Sequence, residues 1–258
     1  MHKSKLLSSW LTIVIAVAAL VSGTASAEAG KVSASVANGK IIYNEGKGDA
    51  AACMACHGEK ALGMDAMGSP RLANIGYVYL VKQLTDFAAD KRVAQGAGMV
   101  MNGFARALSE QDRRDVAAYV DTLEAASEPS DLKALAAEGQ QVGKTHLGKI
   151  LAVTGVAGKA AACNSCHGIQ GRGADPMFPA IGQQKYVYLV NQLKSWRDGS
   201  RTNDPLVGGV GMMRVVAKNL TDDDIINVAA YLSSVPKVMV QGGLVLNNQT
   251  VLKHVIVQ

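Results

Sequence analysis

The sequence predicts an all-α protein: two copies of one small helical domain, then a short β-like tail. Three observations carry this. First, the chain repeats itself. Gly48-Asp49-Ala50-Ala51-Ala52-Cys53 returns as Gly158-Lys159-Ala160-Ala161-Ala162-Cys163, Tyr77 to Val81 returns as Tyr186 to Val190, and Ala117-Ala118-Tyr119 returns as Ala229-Ala230-Tyr231. The offsets are 110, 109 and 112 residues, so the halves share one architecture with small insertions. Second, apolar residues within each copy recur at helical spacing: Leu80, Leu84, Phe87 in one and Leu189, Leu193, Trp196 in the other. Third, the pattern changes after Pro236 to alternating β-branched residues with Gly242-Gly243 and Asn247-Asn248 as turn signals.

Taken in order, residues 1–27 read as an export signal. Lys3 and Lys5 form the positive start, Leu11 to Val21 the apolar stretch, and Ala25-Ser26-Ala27 the cleavage site. Domain 1 is expected over 28–128, with a first helix over 36–44, a middle helix from Tyr77, and a last helix after Ser109. The counterparts in domain 2 (129–236) are a helix over 132–141, one from Tyr186, and one after Thr221. Ser109 precedes Glu110-Gln111-Asp112 and Thr221 precedes Asp222-Asp223-Asp224. A hydroxyl cap with acids in the first turn satisfies free N–H groups and suits the helix dipole. The stretch between Gly139 and Cys163 is longer than its presumed counterpart, and the extra material, with His146, is expected to be a loop. Ala126-Ser127-Glu128-Pro129-Ser130-Asp131 reads as the linker, and 237–258 as the tail.

The chemistry lies in Cys53-Met54-Ala55-Cys56-His57 and Cys163-Asn164-Ser165-Cys166-His167. Each is C-x-x-C-H, the spacing for covalent haem c attachment. Two thiols three positions apart each add to one haem vinyl group, and the following His presents its imidazole to the iron. The motifs use all four cysteines. A thioredoxin-type site needs a βαβ setting, and zinc pairs usually sit closer in sequence. Neither alternative explains a His after both pairs. Two covalent haem c groups are therefore expected, with Cys53, Cys56, Cys163 and Cys166 as attachment points and His57 and His167 as axial ligands.

A second axial ligand decides what such a haem does, and Met suits electron transfer. Met101 lies seven residues before Leu108, and Met213 seven before Leu220. These are the candidate ligands, with Met99 and Met212 as neighbouring alternatives. Met on an apolar face is often only core filler, but both copies keep it here. Pro70 and Pro179 each precede the repeated Tyr by seven residues. Their carbonyls are placed to accept from the axial His and fix its ring.

The formal charge of +5 falls to +3 without Lys3 and Lys5. Residues 28–128 carry 11 basic and 13 acidic groups, and residues 129–258 carry 13 and 8, an asymmetry suited to steering charged redox partners. No dense Lys/Arg cluster points to nucleic acid.

These residues resemble the dihaem cytochrome c4 family over nearly the whole mature chain. The two C-x-x-C-H motifs, Phe178-Pro179-Ala180-Ile181, Tyr186 to Leu193, Arg201-Thr202-Asn203-Asp204 and Met213 through Asp224 carry the resemblance. It implies two class I cytochrome c domains related by pseudo-twofold symmetry, each with one His/Met haem. It also implies a periplasmic electron carrier, often feeding a terminal oxidase. Ser69-Pro70-Arg71-Leu72 departs from the family in lacking the preceding Phe, and the tail is also unlike the family. The expected function is single-electron transfer between redox proteins of a respiratory chain, without catalysis, with peripheral membrane association compatible with it. The alternatives are a haem subunit held by a dehydrogenase, or a dihaem oxidoreductase such as thiosulfate dehydrogenase. The Cys-ligated form of the latter is disfavoured because no cysteine is left over.

Overall fold

In the first half, α1 (Val36–Glu45) starts at Ser35, whose Oγ accepts from the Asn38 N–H at 3.2 Å. The motif forms a single turn, α2 (Met54–His57), and the middle helix is α3 (Tyr77–Ala88). A short helix not foreseen from the sequence, α4 (Val100–Ala107), precedes α5 (Glu110–Thr122). Ser109 and Asp112 form a full capping box at the start of α5. In the second half the elements are α6 (Leu132–Ala137), α7 (Thr145–Thr154), α8 (Cys163–His167) and α9 (Tyr186–Asp198). A two-residue-per-strand hairpin follows, β1 (Leu206–Val207) with β2 (Val210–Gly211), then α10 (Met212–Lys218) and α11 (Asp222–Ser234). Thr221 and Asp224 cap α11 as Ser109 and Asp112 cap α5. The computed structural model describes residues 33–94, 96–123, 128–174 and 176–236. The expected signal segment (1–27) and the β-like tail (237–258) lie outside them.

Each half has its own core. Ile42, Tyr43, Leu80, Val116, Ala117 and Val120 close the first, and Leu151, Tyr186, Leu189, Ile225, Val228 and Leu232 the second. The first and last helices cross in both halves, and a glycine sets how closely. A Cβ on Gly39 of α1 would lie 2.0 Å from the Asp115 carbonyl oxygen of α5. A Cβ on Gly148 of α7 would lie 1.8 Å from the Asn227 carbonyl oxygen of α11.

That crossing corrects the expected register of the second half. The stretch around His146 is not a loop: it is α7, the structural counterpart of α1. Gly148 sits 15 residues before Cys163, as Gly39 sits 14 before Cys53. The helix expected over 132–141 is the short α6, which ends at Ala137 and has no counterpart among the described residues of the first half. No described helix is long and apolar enough to cross a membrane.

Candidate haem sites

The motif helices are held alike in the two halves. His57 ends α2 and His167 ends α8, and both are buried. The next segment folds back so that a proline carbonyl meets the ring. His57 Nδ1 lies 3.0 Å from the Pro70 oxygen, and His167 Nδ1 lies 2.8 Å from the Pro179 oxygen. A carbonyl only accepts, so Nδ1 carries the proton and the Nε2 lone pair is left for a metal. Glycines allow this return. Gly63 (φ 72°) donates to the His57 carbonyl at 2.9 Å, and Gly173 (φ 88°) donates to that of His167 at 2.7 Å. A Cβ on Gly63 would lie 2.4 Å from the Pro70 backbone carbon, and one on Gly173 would lie 2.8 Å from the Ala180 nitrogen. Burial pushes both imidazoles below the usual histidine range, against the proline hydrogen bond, which favours the neutral ring a ligand must offer.

The four thiols are free and partly exposed. Burial pushes Cys53 and Cys163 up to about 11, so both are protonated at neutral pH in this fold. Thiolates are the reactive form.

Met101 and Met213 occupy the same place, the second residue of a short helix, and both are partly buried. Different chemistry anchors the residue after each. Asn102 Nδ2 lies 2.9, 2.8 and 3.0 Å from the Phe87 and Arg92 carbonyls and Asp90 Oδ1, while its Oδ1 accepts from the Ala94 N–H at 3.1 Å. In the second half Asp204 accepts from the backbone N–H and Nε of Arg214, at 3.1 and 3.0 Å. Met99 is 66% exposed, whereas Met212 is partly buried like Met213.

A polar cluster between the halves was not singled out from the sequence. Arg92 donates to Gln83 (2.7 Å), Tyr188 (3.0 Å) and Gln192 (2.9 Å). Arg201 mirrors it, donating to Gln192 (2.6 Å), Tyr79 (3.1 Å) and Gln83 (3.2 Å). Each guanidinium also stacks over a ring, Arg92 on Phe87 at 4.5 Å and Arg201 on Trp196 at 4.1 Å. The signal was available: Tyr79/Tyr188, Gln83/Gln192 and Arg92/Arg201 all share the 109-residue offset of the middle helix.

The cluster also tests the fit of the expected group. Among the described residues neither Arg92 nor Arg201 is paired with a carboxylate. Two buried cations held only by neutral acceptors suit an anionic group, and haem brings carboxylates of its own. Free paired thiols and imidazoles with an open Nε2 complete a donor set that fits.

The sequence matches the family described as Cytochrome c over residues 36–124 and 152–236. It is 38% identical to a thiosulfate dehydrogenase electron acceptor of Stutzerimonas stutzeri (strain A1501) over 205 residues, 78% of this chain and 88% of that one. The structure is similar to reduced recombinant cytochrome c4 from Pseudomonas stutzeri, with TM-score 0.63 and 31% identity, covering 79% of this chain and 100% of the other. It is also similar to a thiosulfate dehydrogenase from Marichromatium purpuratum, with TM-score 0.66 and 31% identity, covering 78% of this chain but 40% of that longer one.

Proposed function

Because the chain belongs to the cytochrome c family, as a dihaem protein homologous to cytochrome c4 and to thiosulfate dehydrogenase electron acceptors, we propose that it is an exported carrier of single electrons. On this reading it accepts them from a thiosulfate-oxidising dehydrogenase and passes them to a further redox protein such as a terminal oxidase. The observation that carries the reading is the paired arrangement: two motif helices, each ending in a buried His whose Nδ1 faces a proline carbonyl. The bound haems supply reversible one-electron iron chemistry. Cys53, Cys56, Cys163 and Cys166 anchor them, and His57 and His167 ligate through Nε2. The Pro70 and Pro179 carbonyls hold the ring protons, which fixes each ring and raises its basicity.

Met101 and Met213 would be the remaining protein ligands of the two irons. The exposure of Met99 favours Met101 over it, and the anchoring of Asn102 and Arg214 holds the two short helices in place. With both methionines bound, no position would be left for substrate, which is what a carrier requires. The short signal at 1–27, cut after Ala27, sends the chain to the periplasm, where haem c attachment takes place.

The test is stopped-flow mixing of oxidised holoprotein with purified thiosulfate dehydrogenase and thiosulfate. The expected result is reduction of both haems that depends on the dehydrogenase. Reduction by thiosulfate alone would make the chain itself the enzyme, and no reduction with either would remove this donor. The likeness to part of a longer thiosulfate dehydrogenase favours a second reading, a haem subunit held permanently by its dehydrogenase. Stoichiometric co-purification of the two would establish it.

A further inference from the structure

The repeat lets one half serve as the reference for the other. With Gly39 and Gly148 in register, α1 and α7 fill the same place against the last helix of their halves. Their outward faces differ. Both expose an isoleucine, Ile41 at 53% and Ile150 at 57%. Around it the first half is polar and the second apolar. Asn38 turns to α5, where its Nδ2 donates to Asp115 Oδ2 at 2.7 Å. Its counterpart, Leu147, is 40% exposed. Asn44 is matched by Val153, which is 51% exposed, and Glu45 by Thr154. Leu147, Ile150 and Val153 follow at three-residue steps, which keeps them on one side of α7. Lys149 is exposed one turn before Val153.

The same contrast runs on to the motif. Asp49, four residues before Cys53, is matched by Lys159, four before Cys163. Glu59, two residues after His57, is matched by Ile169, two after His167, which is 64% exposed. Residues 33–64 carry three basic and three acidic groups, whereas residues 142–174 carry four basic and no acidic group. Neither Lys149 nor Lys159 is ion-paired among the described residues. A Cβ on Gly155, which ends α7, would lie 2.3 Å from the Ala160 carbonyl oxygen and 2.8 Å from the Ala162 nitrogen. The end of α7 thus rests against the residues that join Lys159 to Cys163, and the patch adjoins the haem attachment point.

Unpaired cations around a small apolar centre suit a protein with acidic groups around an apolar spot: the charges steer it in and the apolar contact holds it. A lipid surface offers anions but takes no electron. A second copy offers no net acid at its matching face, where the charges cancel.

We infer that the outward face of α7, with Lys159 and Ile169 on either side of the second motif, is where an acidic redox protein docks, and that the matching face of the first half is not. The inference rests on the reading of the chain as a carrier: the partner loses one electron and one ferric haem of this chain becomes ferrous.

The test uses reduced flavodoxin, an acidic protein, as one-electron donor. Its reaction with oxidised holoprotein is followed by stopped flow for wild type, Lys149→Glu/Lys159→Glu, Lys40→Glu/Lys60→Glu, and Leu147→Asn/Val153→Asn, which installs the residues of the first half. Affinity for oxidised flavodoxin, haem content and thermal melts are measured on the same samples. The two lysine pairs change net charge equally, so a difference between them is local. The second-half pair should slow reduction about tenfold or more at low salt and flatten its salt dependence. The first-half pair should slow it no more than about threefold, the share due to net charge. Leu147→Asn/Val153→Asn should weaken binding of oxidised flavodoxin and leave the salt dependence unchanged. Equal slowing by both lysine pairs, or none by the second-half pair, overturns the inference. So does a Leu147→Asn/Val153→Asn variant that binds flavodoxin as wild type does but no longer binds anionic phospholipid vesicles, or no longer forms a dimer seen in the wild type. Each of these results leaves the carrier reading standing. A wild type with both haems that flavodoxin does not reduce would remove that reading itself.

Discussion

Substituting Gly148 by Ala tests the register of the second half, because the expected and observed structures demand opposite signs. In an open loop or an exposed helix, Ala in place of Gly stabilises by up to about 1 kcal/mol. Here the added Cβ would lie 1.8 Å from the Asn227 carbonyl oxygen, and the Tyr231 Cβ is only 2.9 Å away. An ordinary carbon–oxygen approach is about 3.3 Å, so α7 and α11 would have to part by roughly 1.5 Å. Overpacking a tight contact costs about 1–3 kcal/mol. A clash against backbone belongs at the upper end, because no rotamer change relieves it. Subtracting the propensity gain leaves about 2 kcal/mol of destabilisation, or roughly 4–8 °C in Tm for a unit of this size. Circular dichroism melts of the holoprotein read this directly. A Tm equal to or above wild type would refute the helix crossing. Gly39→Ala should behave alike, since its Cβ would lie 2.0 Å from the Asp115 oxygen.

Met101→Ala and Met213→Ala should each lower the potential of one haem and open that iron to carbon monoxide; two unchanged potentials would exclude both as ligands. Asn102→Ala should cost about 1–3 kcal/mol through the buried groups it leaves unpaired, and should weaken Met ligation in the first half alone, read from the optical spectrum. For Asp112, burial works upward, but hydrogen bonds from Lys47, Ser109 and Asn38 prevail and hold the carboxyl down at about 2 against an ordinary 3.8. A depressed acid stabilises the fold fully above its unfolded value, and the contribution is lost as pH falls from about 4 toward 2. Asp112→Asn should thus narrow the Tm difference between about pH 5 and about pH 2.5, and an unchanged difference would contradict the assignment.

The parts of this protein that repeat with chemistry attached were legible in its sequence. Two C-x-x-C-H motifs, two capped last helices and two Tyr-led middle helices each pair a spacing with a physical reason, and the described helices begin at Tyr77, Tyr186, Glu110 and Asp222. The register of the second half was misread because Gly39 has two possible partners. Gly139 follows an Ala-rich run that also reads as helix, and only packing shows that Gly148 is the residue pressed against the last helix. Distance to the motif carried the answer, since 14 and 15 residues agree where 24 does not. The short helices bearing Met101 and Met213 escaped notice because tertiary anchors, Asn102 and Asp204, fix them rather than propensity. The burial of Arg92 and Arg201 could not be read from the sequence, although their shared 109-residue offset could. Arginine is ordinarily a surface residue, and its burial here follows from two halves meeting.

The most direct test of the account is the optical spectrum of the oxidised, purified holoprotein, scaled to haem content per chain. The feature to read is the weak long-wavelength charge-transfer band of Met bound to ferric iron. The account predicts two haems per chain and a band of full intensity for both, with both irons closed. A band of half intensity or none, with both haems present, would leave an iron open or differently ligated and contradict a pure carrier.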